Sequence, residues 1–283
     1  MNAWFPRFRR LLEAKSGVAL DADKLYFVES RLRPLAQARG LASVEALIAQ
    51  MESSGDRALE GAIVEAMLTN ETFFFRDRAP FDHFRDVMLP RLVEARAADR
   101  HIRIWSAACA TGQEAYSLAM ILDEAARKLT GWRVEIVATD LSEQVVNTSR
   151  AALYSQFEVQ RGLPINYLLR YFHHEGERWR VVEHLRARVR FRVFNLLDDM
   201  AALGRFDVIF CRNVLLYFDI ETRRQILRRL GAALAPDGFL VLGATESAVA
   251  LDDSFAADPQ HPAICSPRRA PAPRHMLKIV AGA

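Results

Sequence analysis

Residues 102–118, Ile-Arg-Ile-Trp-Ser-Ala-Ala-Cys-Ala-Thr-Gly-Gln-Glu-Ala-Tyr-Ser-Leu, constrain the fold more than any other stretch of the chain. Ile102 and Ile104 alternate around Arg103, which is the period of a strand. Five small residues follow, from Ser106 to Ala110, and then a turn at Thr111 and Gly112. From Gln113 the pattern becomes that of a helix, with Tyr116, Leu118, Ala119 and Leu122 on its apolar face. A strand, a loop of small residues and a helix are how an open α/β sheet makes room for a ligand at its carboxyl edge. Small side chains admit the ligand close to the backbone, and the amides that open the helix point towards it.

The next strand narrows the ligand. Val134-Glu-Ile-Val-Ala-Thr139 ends in Asp140, and an acidic residue at that tip is placed to accept hydrogen bonds from both hydroxyls of a ribose. The dinucleotide fingerprint G-x-G-x-x-G is absent, since Gly112 is the single glycine of the loop. The pair therefore reads as a site for a nucleoside without a glycine-lined pyrophosphate cradle, which leans away from NAD and towards S-adenosylmethionine. The alternative is a turn that only packs a helix on a strand, with Asp140 capping the helix that follows.

The 283 residues, half of them apolar, suffice for a sizeable core and one large or two modest domains. No apolar run approaches the roughly 20 residues of a membrane span, and residues 1–7 lack a signal-peptide core. Cys109, Cys211 and Cys265 are far apart in sequence, with no C-x-x-C pair; neither a disulfide framework nor a metal site is expected, and a cytoplasmic setting fits. A net charge of +3 does not argue for nucleic acid. Charge is nevertheless uneven: residues 1–40 carry eight Lys/Arg against four Asp/Glu, and residues 41–79 carry three against seven. A basic amino-terminal face could meet an acidic partner; an ordinary solvated helix face accounts for it equally well.

In chain order, residues 1–68 read as an all-helical domain. Phe5, Phe8, Leu11, Leu12 and Val18 mark a first helix. Asp21 and Asp23 read as caps of a second, through Leu25, Val28, Leu32 and Leu35, with Lys24, Arg31, Arg33 and Arg39 on its polar side. Ser43 caps a third helix, and a fourth starts near Arg57. Residues 69–80 form a linker whose Phe73, Phe74 and Phe75 cannot share one helix face. The segment reads either as an apolar plug between domains or as a lid that sets Asn70, Thr72 and Arg76 over the ligand crevice. One helix spans 81–96. The α/β core then occupies residues 81–265, with a small β subdomain at about 154–192 and a flexible basic tail at 266–283. Ser142 and Gln144 read as a capping box. Residues 178–182 and 187–193 alternate strictly and are expected to pair as antiparallel strands, the second continuing into the main sheet. Phe206-Asp-Val-Ile-Phe-Cys211 reads as a buried strand, the helix of residues 220–234 follows, and a turn at Pro236-Asp-Gly238 precedes a strand from Phe239.

Five blocks in order carry a resemblance. Thr69-Asn-Glu-Thr-Phe-Phe-Phe-Arg76, Trp105-Ser-Ala-Ala-Cys-Ala-Thr-Gly-Gln-Glu-Ala-Tyr-Ser117, Ala138-Thr-Asp140, Asn195-Leu-Leu197 and Phe210-Cys-Arg-Asn-Val-Leu-Leu-Tyr-Phe218 resemble the CheR-type chemoreceptor methyltransferases. The match runs from the amino-terminal helices to about residue 265. It implies a Rossmann-like class I methyltransferase sheet with a small antiparallel β subdomain, preceded by an all-helical domain that docks on receptors. The implied reaction is S-adenosylmethionine-dependent methylation of glutamates on the cytoplasmic helical bundle of bacterial chemoreceptors. By the same resemblance Asn70, Thr72, Arg76, Glu114, Asp140, Asn195, Leu196, Arg212 and Asn213 fall at cofactor-binding positions, and Arg76 and Tyr217 near the transferred methyl. Without the resemblance, Tyr217 would read as core packing between Leu216 and Phe218.

The chemistry agrees with the absence of a catalytic triad, metal cluster or acid pair from the sequence. A glutamate carboxylate, pKa about 4.3, is already ionised at neutral pH and needs no general base. Displacement at a sulfonium methyl calls instead for alignment and exclusion of water. Two departures from the family pattern stand out. The segment His173-His-Glu-Gly-Glu-Arg178 is short and carries one glycine where pentapeptide-tethered members have a glycine-rich loop, so strong tethering to a receptor's carboxyl-terminal pentapeptide is not expected. Gly243-Ala-Thr-Glu246 lacks the histidine common after the glycine. The rival readings are a non-catalytic cofactor-binding regulator of a chemosensory pathway, a methyltransferase with a non-receptor acceptor, and an NAD enzyme.

Overall fold

Residues 3–268 are described by the computed structural model, and three apolar clusters organise them. The first is built by helices α1 (Phe5–Ser16), α2 (Leu25–Ala38), α3 (Val44–Ser54) and α4 (Arg57–Met67), which bury Phe8, Leu12, Val28, Leu32, Leu47, Ile48, Leu59 and Ile63. Ser43 accepts the Ala46 amide at 3.1 Å, and Asp56 accepts those of Ala58 and Leu59, so two of the four starts are capped by side chains. Asp21 and Asp23 do not cap α2. The turn closes instead through the backbone, Lys24 N–H donating to the Asp21 carbonyl at 3.1 Å. Val18 also leaves α1, because Gly17 turns left-handed (φ 74°) and ends the helix; Val18 then makes an antiparallel bridge with Phe218.

The other two clusters lie on the two faces of a seven-stranded sheet. Its strands are β1 (His101–Ala107), β2 (Arg133–Asp140), β6 (Val189–Val193), β7 (Phe206–Cys211), β8 (Leu234–Leu242), β9 (Phe255–Ala257) and β10 (Ile264–Pro267). They stand in the order β6-β2-β1-β7-β8-β10-β9, the first five parallel and β10 antiparallel to both its neighbours. The order reverses between β1 and β7, so their carboxyl ends open a crevice at that point. β7 is buried at every position: Val208 to Cys211 form an apolar run, and Asp207 is buried by accepting from the Arg96 guanidinium and the Arg103 amide. Helices α7 (Gln113–Glu124) and α8 (Glu143–Ala151) follow β1 and β2.

A three-stranded antiparallel sheet stands apart, formed by β3 (Leu153–Tyr154), β4 (Phe172–Glu175) and β5 (Arg178–Val181) in the order β3-β5-β4. The expected pairing of residues 178–182 with 187–193 is therefore not made. β5 pairs with its hairpin partner β4 and with β3, while β6 joins the main sheet beside β2. Period-two alternation identifies a strand with one covered face but carries no information on its neighbour. Three smaller differences have local causes. Gln144 sits one position too early to complete a capping box with Ser142, which caps the Val145 amide alone; the complete box is Ser155 with Glu158. The helix over residues 79–95 contains a π turn at Phe84–Met88, just before Pro90, which has no N–H to continue the ladder. Residues 236–238 lie inside β8 as an irregularity opposite Phe206 and Val208, and a Cβ on Gly238 would stand 2.7 Å from the Asp207 carbonyl oxygen. The flexible tail expected at 266–283 starts too early, because Ser266 and Pro267 pair with Ala256 and Phe255 in the main sheet; residues 269–283 lie outside the described residues.

The linker unites both of its readings. Phe74 is fully buried, edge-on to Tyr154 (5.1 Å) and Phe172 (5.5 Å), and Phe75 stacks on Tyr167 at 5.2 Å. Phe73 turns the other way and lies under the guanidinium groups of Arg76 and Arg161. Two aromatics thus plug the subdomain, and Asn70, Thr72 and Arg76 of the same segment line the crevice. Phe74→Ala should cost about 3–5 kcal/mol of stability by deleting a fully buried ring, measured by urea denaturation, whereas Phe73→Ala should cost less than half of that.

Candidate active site

The crevice is shaped first by the loop after β1. Ala108 (φ 58°), Ala110 (φ 47°) and Gly112 (φ 93°) all adopt the left-handed region, so the chain bends tightly with no side chain larger than a methyl at the two alanines. Surrounding groups hold that bend: Ser149 Oγ donates to the Ala110 carbonyl at 3.0 Å, Tyr154 Oη to that of Thr111 at 2.8 Å, and Cys109 N–H to that of Thr139 at 2.9 Å. A Cβ on Gly112 would approach Ser149 to 3.0 Å in a conformation that side chains already disfavour. Asp140, at the tip of β2, is buried, and its two oxygens accept the Ala110 and Ser142 amides at 2.8 and 3.0 Å. Burial pushes its carboxyl above the usual aspartate range, against the pull of those two amides. Each oxygen keeps a further lone-pair direction for a ligand.

Beyond β7 the chain delivers Arg212 and Asn213. The Arg212 guanidinium is almost wholly buried and both terminal nitrogens are spent on the protein: Nη1 donates to Glu114 at 3.0 Å, and Nη2 to the Arg76 carbonyl at 2.9 Å and Asp77 at 2.8 Å, while Nε is buried without a partner among the described residues. Glu114, in the first turn of α7, takes the Ser106 hydroxyl on its other oxygen at 2.8 Å. Asn213 is left-handed (φ 57°), and its Oδ1 is buried with no hydrogen-bond partner among the described residues. Asn195 uses its side chain between domains, donating to the Lys15 carbonyl and accepting the Leu197 amide. Arg76 is half-buried over Phe73 and donates to the Glu71 carbonyl at 3.0 Å. Tyr217 is half-buried rather than packed in the core; Leu215 and Phe218 take the interior positions beside it.

The ten residues singled out from the sequence, Asn70, Thr72, Arg76, Glu114, Asp140, Asn195, Leu196, Arg212, Asn213 and Tyr217, line one cleft. Its empty volume, mouth included, is about 960 Å³, within the range of small-molecule sites. Sequence reasoning passed over Ser149 and Tyr154, which brace the loop from α8 and β3, and Glu246, which accepts three backbone amides behind Asn213. Nothing in the spacing of Ser149 or Tyr154 announces these contacts; the isolated acid after Gly243 was the one available signal. Cys109 lies in the cleft wall, but burial beside Asp140 and Glu114 pushes its thiol well up, so it remains an unreactive thiol.

The geometry agrees with what known proteins resemble this chain. Residues 70–263 match the family description "CheR methyltransferase, SAM binding domain", and residues 3–68 match "CheR methyltransferase, all-alpha domain". The chain belongs to the CheR methyltransferase family. Over 258 residues it is 43% identical to chemotaxis protein methyltransferase 1 of Pseudomonas aeruginosa, spanning 90% of this chain and 93% of that one. It is 40% identical to chemotaxis protein methyltransferase Cher2 of Pseudomonas putida, over 90% and 94%. To a chemotaxis protein methyltransferase of Vibrio parahaemolyticus it is 41% identical, over 88% and 90%. This CheR protein is thus a chemotaxis methyltransferase that uses S-adenosylmethionine. No helix among the described residues is long and apolar enough to cross a membrane.

The residues present suit that cofactor. Asp140 is an acceptor oriented by two backbone amides, the alanine loop lets a ligand reach the backbone, and Asn213 Oδ1, unpaired among the described residues, is available to a ligand donor. Asp140→Asn should weaken S-adenosylhomocysteine binding about 10- to 100-fold in calorimetric titration, since one acceptor becomes a donor facing a backbone N–H. Protonation has the same sense. Because burial raises the Asp140 pKa, affinity should decline on acidification at a higher pH than an exposed aspartate would dictate, and the decline should vanish in Asp140→Asn.

Proposed function

We propose that the protein methylates glutamate side chains on the cytoplasmic helices of bacterial chemoreceptors, forming the methyl esters of sensory adaptation. The observation that carries this reading is the convergence of Arg76 and Tyr217 with the cofactor-class residues on one cleft, whose lining among the described residues includes no histidine or lysine. S-adenosylmethionine supplies an electrophilic methyl group when bound. An ionised glutamate attacks it without prior proton removal, so the residues of the cleft have alignment and exclusion of water as their task. One Arg76 Nη donates to the Glu71 carbonyl, and the rest of the guanidinium can hold a carboxylate, of cofactor or incoming glutamate, by a charge-assisted pair. The Tyr217 hydroxyl has no hydrogen-bond partner among the described residues and can orient the acceptor.

The docking face we propose is the polar side of α2, with one change. Arg31 is committed to the linker, donating to the Leu68 carbonyl at 3.1 Å and lying near Thr69 Oγ1, so Lys24, Arg33 and Arg39, all exposed, are the residues left to meet an acidic helical bundle. The proposal also keeps pentapeptide tethering weak. β4 and β5 are joined by a two-residue turn at Gly176 and Glu177, and their sides are filled by His174 on Trp179 and by the Glu175–Arg180 pair.

The decisive experiment incubates the purified protein with methyl-labelled S-adenosylmethionine and membranes with or without chemoreceptors. Receptor-dependent, base-labile label is the expected result; its absence, with cofactor still bound, overturns the reading. Arg76→Ala and Tyr217→Phe should each lower receptor methylation about tenfold or more. Reversing charge at Arg33 and Arg39 should raise the KM for receptor and leave S-adenosylhomocysteine affinity unchanged. A receptor carboxyl-terminal pentapeptide should show no low-micromolar binding in calorimetry.

A further inference from the structure

Glu246 is a buried carboxylate that the chemistry above leaves without a task. Its Oε2 accepts the Gly243 amide at 2.7 Å and the Asn213 amide at 2.8 Å, and its Oε1 accepts the Leu216 amide at 3.3 Å. These donors come from two segments, the tip of β8 and the loop that follows β7. An ionised carboxylate offers acceptors on both oxygens and no donor, which suits a site that presents only N–H groups. The neighbouring glycine fits the same purpose. A Cβ on Gly243 would lie 2.8 Å from Glu246 Oε2, 2.8 Å from Asn213 Nδ2 and 2.9 Å from the Asn213 amide nitrogen, so only glycine lets the two segments close on the carboxylate.

The loop held in this way carries two cleft residues. Asn213 is fixed in a left-handed conformation that asparagine adopts at some cost, and its side-chain oxygen is left buried and unpaired. Tyr217 follows Leu216 directly, and the buried Leu215 and Phe218 anchor the loop on either side. On the far side the Tyr217 carbonyl accepts the Ala19 amide at 2.8 Å, so the loop is gripped both by Glu246 and by the amino-terminal domain.

We infer that Glu246 is a positioning residue for methyl transfer: its carboxylate fixes the backbone of residues 213–216 so that Asn213 and Tyr217 face the cleft. The part that concerns Tyr217 rests on the function proposed above; the part that concerns Asn213 rests on the geometry of the cleft alone.

Glu246→Gln tests the idea because it keeps the shape and sets an amide donor against a backbone N–H. At saturating S-adenosylmethionine its kcat for receptor methylation should fall about tenfold, and its Kd for S-adenosylhomocysteine should rise several-fold, while the melting temperature stays within about 5 °C of the parent. Gly243→Ala should reproduce both losses. In a double-mutant cycle, the kcat losses of Glu246→Gln and Tyr217→Phe should be less than additive. Parental kcat and Kd in Glu246→Gln would overturn the inference. A fully active Tyr217→Phe beside an impaired Glu246→Gln would remove the role of Tyr217 and leave that of Glu246 standing. Amide hydrogen exchange on the unaltered protein decides the matter even if a variant fails to fold: exchange at Asn213 and Gly243 should be slow, and rapid exchange at both would overturn the inference.

Discussion

The Arg212 guanidinium is the interaction on which the cleft depends. A cation with 2% of its side chain exposed is costly to desolvate, and it persists only because its donors meet Glu114, Asp77 and the Arg76 carbonyl while its face lies 5.6 Å from the Phe81 ring. Those partners belong to three separate parts of the chain: the linker, the first turn of α7 and the helix after the linker. One buried charge therefore locks the lid to the sheet. Moving the linker away would break two of these bonds, those to Asp77 and the Arg76 carbonyl, and leave Glu114 as the one carboxylate on the buried cation.

The linker is held in a conformation it would not choose. Phe75 (φ 51°), Asp77 (φ 67°) and Arg78 (φ 44°) all have positive φ, which costs a residue with a Cβ about 1–3 kcal/mol. Offsetting that strain are the Phe75 N–H, which donates to the Ser117 hydroxyl oxygen at 3.0 Å, the Arg212 contacts, and the burial of Phe74 and Phe75. Gly162 lets this happen: its own left-handed turn brings it so close to the Phe74 carbonyl oxygen that a Cβ would stand 2.1 Å away.

The helical domain takes part in the cleft as well. Val18 bridges Phe218, Lys15 accepts from Asn195, and Ser142 donates to Glu65 while capping α8. Each contact ends on a residue of, or adjacent to, the cleft wall. The helical domain thus helps to hold the cleft wall at Phe218, Asn195 and the start of α8.

By itself the sequence determined most of the local elements, and its motifs carried the resemblance that named ten residues of the cleft. Strand β1, its small-residue loop and α7 follow from a change of period within residues 102–118, and Asp140 from its place after a strand. Such signals are legible because they depend on neighbours in the chain. What only the tertiary structure decided depends on partners far apart in it. The alternation in residues 187–193 did not reveal that β6 lies beside β2, because every strand with one buried face shows it. Arg31 looked like a docking charge until the linker came within reach of its guanidinium. Glu246 looked like a stray acid until folding brought the Asn213 and Leu216 amides to it. Hydrogen bonds across 30 or more residues leave no period in a sequence, and in this protein they are what turns a set of recognisable residues into a single site.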